Sequence, residues 1–294
     1  MLLATLACAL WGSAVPMVRL GYQQMGISSA DAGSQLVFGG TRFMFSGLAV
    51  TVAWSLAHRQ VHVPRGRELG VVAQVAATQT FGQYLLYYQG LAHATGVNGS
   101  IVQGIGVFTS LIMSALVFRL ESLTARKLLG CAIGFVGLLV AGVGGASAGS
   151  VGFSLGGEGV VMLSACFASV AAVVLRRNAG KADTVMVCGW QFMLGGAGLV
   201  LVGQALGGRL MVGSVEAVGI LTWLVMVSAV AYGVWSYLLG RYDVSQVSAF
   251  EFLIPIFGVL FSLALLGPEG TSVGWHTVAA LALIAGGILL VERR

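Results

Sequence analysis

The stretch Ser248-Ala249-Phe250-Glu251-Phe252-Leu253-Ile254-Pro255-Ile256-Phe257-Gly258, SAFEFLIPIFG, places a carboxylate four residues ahead of a proline. It sits in an apolar run, from about 245 to 266, long enough to cross a bilayer core that takes about 20 residues of helix. A charged side chain at the middle of such a run costs roughly 2.5–3.5 kcal/mol on insertion scales. Pro255 adds to the cost, because it offers no N–H to the carbonyl of residue 251 and its ring crowds that turn. A carboxyl beside a freed carbonyl is tolerated inside a membrane only where a cavity, not lipid, surrounds them.

The rest of the chain has the same character. Hydrophobic residues make up 57% of the 294 and charged residues only 9%, against about 25% charged in a soluble domain. Apolar runs separated by short polar breaks predict ten helices, at about 2–20, 35–57, 69–91, 96–118, 127–145, 158–177, 184–206, 215–239, 245–266 and 273–291. The fold class expected is therefore an all-α integral membrane protein with no soluble domain between spans. The 44 glycines carry no collagen-like period. They suit close helix packing, as in the GxxxG of Gly130-Cys131-Ala132-Ile133-Gly134. Cys8, Cys131, Cys166 and Cys188 all fall in apolar runs without a CxxC, which reads as packing, not disulfides or metal ligation. Met1 leads straight into apolar residues with no basic n-region, so the first span is expected to stay in the mature chain.

The net charge of +5 reports topology, not nucleic acid. With the N-terminus inside, one set of breaks holds Arg59, Arg65, Arg67, Arg119, Arg126, Lys127, Arg176, Arg177, Lys181, Arg241, Arg293 and Arg294, twelve of the fifteen basic residues. The other side keeps Arg19 and Arg209, and Arg42 lies within a span. The positive-inside rule then puts both termini in the cytoplasm of a cell inner (plasma) membrane.

The chain also repeats itself. A shift of 149 lays Arg42-Phe43-Met44 on Gln191-Phe192-Met193, and a shift of 148 lays Ser100 on Ser248, Gln103 on Glu251 and Glu121 on Glu269. A shift of 158 lays Ala7-Cys8 on Ala165-Cys166. The matches keep chain order and divide the protein into five-helix repeats at 1–147 and 148–294. An odd number of spans per repeat makes the two halves inverted relative to each other, an arrangement that places a transporter's substrate site near the midplane between them.

Polar groups within spans mark that site. Arg42 in the second span and Glu251 in the ninth each lie on the order of 10 Å deep, from opposite ends of a core about 30 Å thick. They either meet directly or share a cavity. On the third span Gln79, Thr80, Gln83 and Tyr87 fall on one helical face, and Ser228, Tyr232 and Ser236 form a similar stripe beside Trp235 on the eighth. Gln103, Gln191 and Ser248 join the substrate-binding set through the repeat. Gly12, Pro16 and Pro255 are the expected kink positions, Pro16 acting on the carbonyl of Gly12. Glu251 has two readings, a hydrogen-bonded structural acid or a carboxyl whose proton exchanges during transport. Arg42 stays charged and suits a carboxylate clamp or a structural partner. Tyr84 and Tyr88 could belong to an interfacial aromatic belt.

Other chemistry is missing. Gly152-Phe153-Ser154-Leu155-Gly156 matches the G-x-S-x-G pattern but sits in a Gly/Ser-rich loop without triad partners. The chain has no P-loop, HExxH or dinucleotide fingerprint, and its four histidines make no metal set, so no cofactor and no enzyme activity are expected.

These residues resemble the EamA-type transporters of the drug/metabolite transporter superfamily. The resemblance rests on LWG at 10–12, on Arg42, on GLAHATGVNGSIV and FRLESLTARKLLGCAIGFVGLLVAG, and on SAFEFLIPIFGVLFSLALLGPE followed by GGILL. Two departures stand out. Pro268 intrudes where the family has Leu-Gly-Glu, and Val107 stands where the repeat would place a proline. The resemblance implies a ten-helix inverted-repeat carrier with cytoplasmic termini, whose helices one to four and six to nine line the cavity. Characterised members mostly export small metabolites, including amino acids. The expectation is a secondary transporter working by alternating access, with a small-molecule substrate and protons as possible partners. An uncoupled facilitator, an uptake carrier, a membrane enzyme and a structural role are the alternatives. Substrate, direction of flux and oligomeric state stay open.

Overall fold

Glycine decides how the helices meet. On Ala32–His58 and Thr184–Ala205, Gly33, Gly40 and Gly47 face Gly203, Gly196 and Gly189 in turn. A Cβ on Gly40 would stand 2.6 Å from the carbonyl oxygen of Gly196, and one on Gly196 would stand 2.7 Å from that of Gly40. Every seventh residue is thus a backbone-to-backbone contact between two antiparallel helices, which a methyl group would push apart.

The structure is a computed structural model describing residues 2–28, 30–91, 96–145, 154–266 and 275–292. Among them the regular secondary structure is helical, apart from one isolated bridge between Ala179 and Ala182. In order, α1 is Leu2–Gln24, α2 Ala32–His58 and α3 Arg67–Val75, which continues through a π-helical segment, Ala76–Gly82, into α4, Gln83–Leu91. Then come α5, Gly96–Ile112, with a π-helical end at Met113–Val117, and α6, Ala125–Gly145. A π-helical turn at Leu155–Gly159 opens α7, Val160–Arg177, followed by α8, Thr184–Ala205, and α9, Val215–Leu239. The short α10, Val244–Ser248, passes through a 3-10 segment, Ala249–Leu253, into α11, Ile254–Leu266, and α12 is Trp275–Glu292. Among the described residues, seven helical runs are long and apolar enough to span a membrane, with a shorter apolar helix at Gly104–Val117.

Helix pairing has a two-fold pattern. The most extensive contacts are α2 with α8 and α6 with α12, while α1 packs on α9 and α11 much as α7 packs on α4 and α5. Gly130 and Gly134 do what the GxxxG predicts: Gly130 lies against the backbone of Gly287 on α12, and Gly134 against the Phe252 ring. Cys8, Cys131 and Cys188 are buried and Cys166 half-buried, all as free thiols. Ser154 caps the turn before α7, accepting from the Gly157 N–H, while Glu158 accepts from the Ser154 N–H and hydroxyl. Its place in the G-x-S-x-G pattern is therefore a helix cap. Gly152 and Phe153 lie outside the described residues.

At the prolines, one expectation changes, that of a free carbonyl at Glu251. Helix α1 runs on through Pro16, and Gly12 is where α1 crosses α11, since a Cβ there would stand 2.4 Å from that of Phe257. At Pro255 the preceding turn tightens into the 3-10 form, so the Ile254 N–H bonds the carbonyl of Glu251. The carbonyl expected to be free is therefore satisfied. Phe250, whose carbonyl would have taken the Ile254 N–H in an α-helix, instead accepts the Cys8 thiol at 3.2 Å.

Candidate functional site

Arg42 is buried, 5% exposed, and its placement is built from α9. The Ser46 hydroxyl, one turn along α2, lies within hydrogen-bond distance of the carbonyls of Arg42 (2.7 Å) and Val225 (3.0 Å). One turn beyond Val225, the Ser228 hydroxyl accepts the Arg42 Nε–H at 2.9 Å. The guanidinium lies 4.7 Å from the centre of the Phe43 ring, within cation–π range. Among the described residues no carboxylate pairs with it.

That guanidinium lines a cavity of about 220 Å³. The π-helical segment contributes Gln79, and α4 contributes Gln83, Tyr84 and Tyr87. The segment's wider turn ends with the Gln83 N–H on the Thr78 carbonyl, a distortion that recurs at functional sites. Tyr232 and Trp235 come from α9, Trp11 from α1, Ser110 from α5 and Ser169 from α7. Glu251 closes the ring from the 3-10 segment, with Ile254 beside it. Arg42 and Glu251 share the cavity but form no ion pair with each other.

Aromatic rings give the cavity its apolar walls. Trp11 meets Tyr232 edge-on at 4.7 Å and Trp235 at 4.9 Å, and Phe43 stacks on Phe192 at 5.0 Å. The phenols of Tyr84 and Tyr232 share a hydrogen bond of 2.6 Å, joining α4 to α9.

Of the residues singled out in the sequence, Arg42, Gln79, Gln83, Tyr87, Tyr232, Trp235 and Glu251 meet at this cavity. Gln191 stands one layer behind it, fully buried, accepting the Thr80 hydroxyl at 2.6 Å and donating to Gln79 at 3.4 Å. It positions Gln79 rather than facing the cavity. Ser248 is also fully buried, at the end of α10, and does not line the cavity. The side chain of Gln103 lies outside the described residues.

Sequence reasoning missed Trp11, Ser110 and Ser169, and set Tyr84 between cavity and interface. One signal was available: Ala165, Ala168, Ser169 and Ala172 on α7 have the spacing of a single helical face. Their small side chains leave the volume that the rings and polar groups surround. The arrangement offers a fixed cation, a carboxyl, two amides and several hydroxyls within reach of one small guest. Among the described residues no three His, Cys, Asp or Glu side chains could together hold a metal ion.

A model of the EamA-like transporter family matches residues 1–143 and 155–293. The chain is 23% identical over 300 residues to a protein of Salmonella typhimurium named "Probable amino-acid metabolite efflux pump", covering 97% of this chain and 92% of that one. It is 25% identical over 211 residues to a chloroplastic WAT1-related protein of Arabidopsis thaliana, covering 69% of this chain but only 48% of the relative. A solved crystal structure superposes with a TM-score of 0.79 at 22% identity, covering 99% of this chain and 96% of its own, a likeness of fold. The family's name is that of a transporter and the Salmonella protein's that of a pump, not of an enzyme. By the family match across both parts of its length, this multi-pass membrane protein belongs to the EamA-like transporter family.

Proposed function

We propose that the chain is a secondary transporter that exports a small metabolite, such as an amino acid, by alternating access around this cavity. One observation carries the reading: a buried cation with no carboxylate partner among the described residues faces the same small cavity as a carboxyl it does not pair with. A buried charge left alone is costly, and a guest with its own carboxylate relieves that cost while bound. Arg42 then holds the guest's carboxylate, Gln79 and Gln83 its polar edges, and the rings of Trp11, Tyr87, Tyr232 and Trp235 its apolar part. Glu251 carries the coupling proton. The name of the Salmonella relative supports an amino-acid-like substrate and the outward direction.

The architecture that goes with this reading is ten spans in two inverted repeats, 1–147 and 148–294, with both termini cytoplasmic in the inner (plasma) membrane. The like pairing of α1 and α7 in the helix contacts supports it, as does the one-sided distribution of arginine and lysine.

Counterflow of an amino-acid panel into liposomes, with and without a pH gradient, tests the function in the native chain and in Glu251→Gln. Gradient-driven flux lost in the variant with counterflow retained makes Glu251 the coupling group. Equal flux in both makes the protein a facilitator, and no flux of any amino acid removes that substrate class.

A further inference from the structure

A second polar cluster lies away from the cavity, where the ends of α5, α6, α7, α9 and α10 meet. The carboxylate of Glu121, in the turn after α5, has a side chain only 1% exposed. It receives the Lys127 ammonium from α6 and both the hydroxyl and the backbone N–H of Ser245 on α10, the last at 3.1 Å. Lys127 also reaches Asp243 at 3.2 Å, and Asp243 lies 3.9 Å from the Arg176 guanidinium at the end of α7. Arg119, with φ at 54°, turns the chain out of the preceding helix and delivers Glu121 to this spot.

Three features distinguish this network from a surface ion pair, which contributes little. It ties Glu121 and Lys127 to Arg176, Asp243 and Ser245, so it joins the two matched parts of the family pattern. The largest core cluster runs from Trp235, which lines the cavity, to Leu175 and Val244, chain neighbours of Arg176, Asp243 and Ser245 in the network. Ser245 also belongs to the same continuous segment as Glu251, so that segment cannot swing away from the turn between α5 and α6 without breaking the bonds to Glu121.

The geometry points to Glu121, Lys127, Asp243 and Ser245 as the gate that closes the carrier on the basic face, the face read as cytoplasmic. On the opposite face the repeat gives Glu121 a sequence match, Glu269, but gives Lys127 and Asp243 no match of like charge. Helix α12, the counterpart of α6, contains no lysine or arginine. The sequence before α5, Ala92-His93-Ala94-Thr95, holds no carboxylate to match Asp243. A latch on the basic face biases the empty carrier toward being closed there and available to solute from the other side. Substrate binding beside Glu251 then has a direct route to the gate through the Val244–Leu253 stretch. This inference rests on the alternating-access reading.

The test places a reporter thiol at Ala172→Cys, a cavity-lining position, with the chain lacking it as the blank. An impermeant maleimide is applied to right-side-out and inside-out vesicles. With the gate intact, labelling is expected from the face opposite Lys127. In Glu121→Gln, labelling from the Lys127 face is expected to rise by about fivefold or more, the lower end of typical coupling between sites. Asp243→Asn, which weakens only the more exposed arm, should shift labelling the same way by less. Both variants folded, by an unchanged melting transition, yet labelling as the parent does from both faces, would overturn the gate. Counterflow in the same vesicles separates the two readings: flux with unchanged labelling removes the gate alone, whereas switched labelling without flux supports the gate and removes the proposed substrate.

Discussion

Arg42 and Glu251 line one cavity from α2 and the 3-10 segment before α11 without pairing with each other. On the proposed reading, these two groups are matched to a guest that comes and goes.

Arg42 is expected to trade stability for binding. Its side-chain hydrogen bond to the neutral Ser228 hydroxyl does not neutralise it. Arg42→Met should raise the melting temperature of the empty protein, by on the order of 1 kcal/mol of stability. The same change should raise the substrate concentration giving half-maximal counterflow roughly tenfold or more, through loss of charge-assisted bonds. A variant that melts lower and transports normally would make Arg42 a structural group.

The glycine ladder predicts a contrast between two kinds of glycine. Gly40→Ala or Gly196→Ala drives a methyl group into the facing backbone, and thermal melting in detergent should show a loss of about 1–3 kcal/mol, the usual cost of overpacking. Gly219 and Gly233 on α9 have nothing within 4 Å of a Cβ. Alanine there should be neutral or stabilise by about 0.5–1 kcal/mol through helix propensity.

Tyr84 and Tyr232 should behave as a coupled pair. Their 2.6 Å bond joins α4 to α9 across the cavity, and a double-mutant cycle with Tyr84→Phe and Tyr232→Phe should return a coupling of about 0.5–1.5 kcal/mol. Additive effects on melting and on half-saturation would mean that the pair opens in solution.

Asp31 gives a pH-dependent term outside the spans. It caps α2, accepting the Ser34 N–H at 2.9 Å, and that bond holds its carboxyl below the ordinary value. A lowered folded value makes the cap's contribution complete above the ordinary carboxylate range and lost as pH falls through the folded one. Asp31→Ala should cost about 1 kcal/mol at neutral pH, and the gap between variant and native melting curves should narrow in acid.

Much of the site was legible because membrane spans make polar residues conspicuous. Gln79, Gln83 and Tyr87 share a helical face whatever the fold around them. Arg42 and Glu251 stand out because lipid would not accept them. What the residues themselves did not settle is how each helix is rotated and how far apart neighbours stand. Gln191 occupies the repeat position of Arg42, yet α8 is turned so that it bonds Thr80 and Gln79 behind the wall. Nothing in the residues around Trp11 marked it for the site, but the crossing of α1 over α11 at Gly12 goes with its packing against Tyr232 and Trp235.

The same division runs through Pro255. Its missing N–H follows from the sequence alone, and so does the need for the chain to respond at Glu251. Whether the carbonyl is left open or satisfied depends on the neighbouring turn, which tightened to 3-10 geometry and passed the vacancy to Phe250, where the Cys8 thiol of α1 fills it. Hydrophobic run lengths, charge asymmetry and repeat spacing are local properties, so the sequence by itself determined the membrane class and the candidate polar groups. Which of those groups share a cavity, and which bond one another behind it, depends on backbone approach between helices distant in sequence. Gly40 and Gly196 set that approach, and only the tertiary structure brings them together.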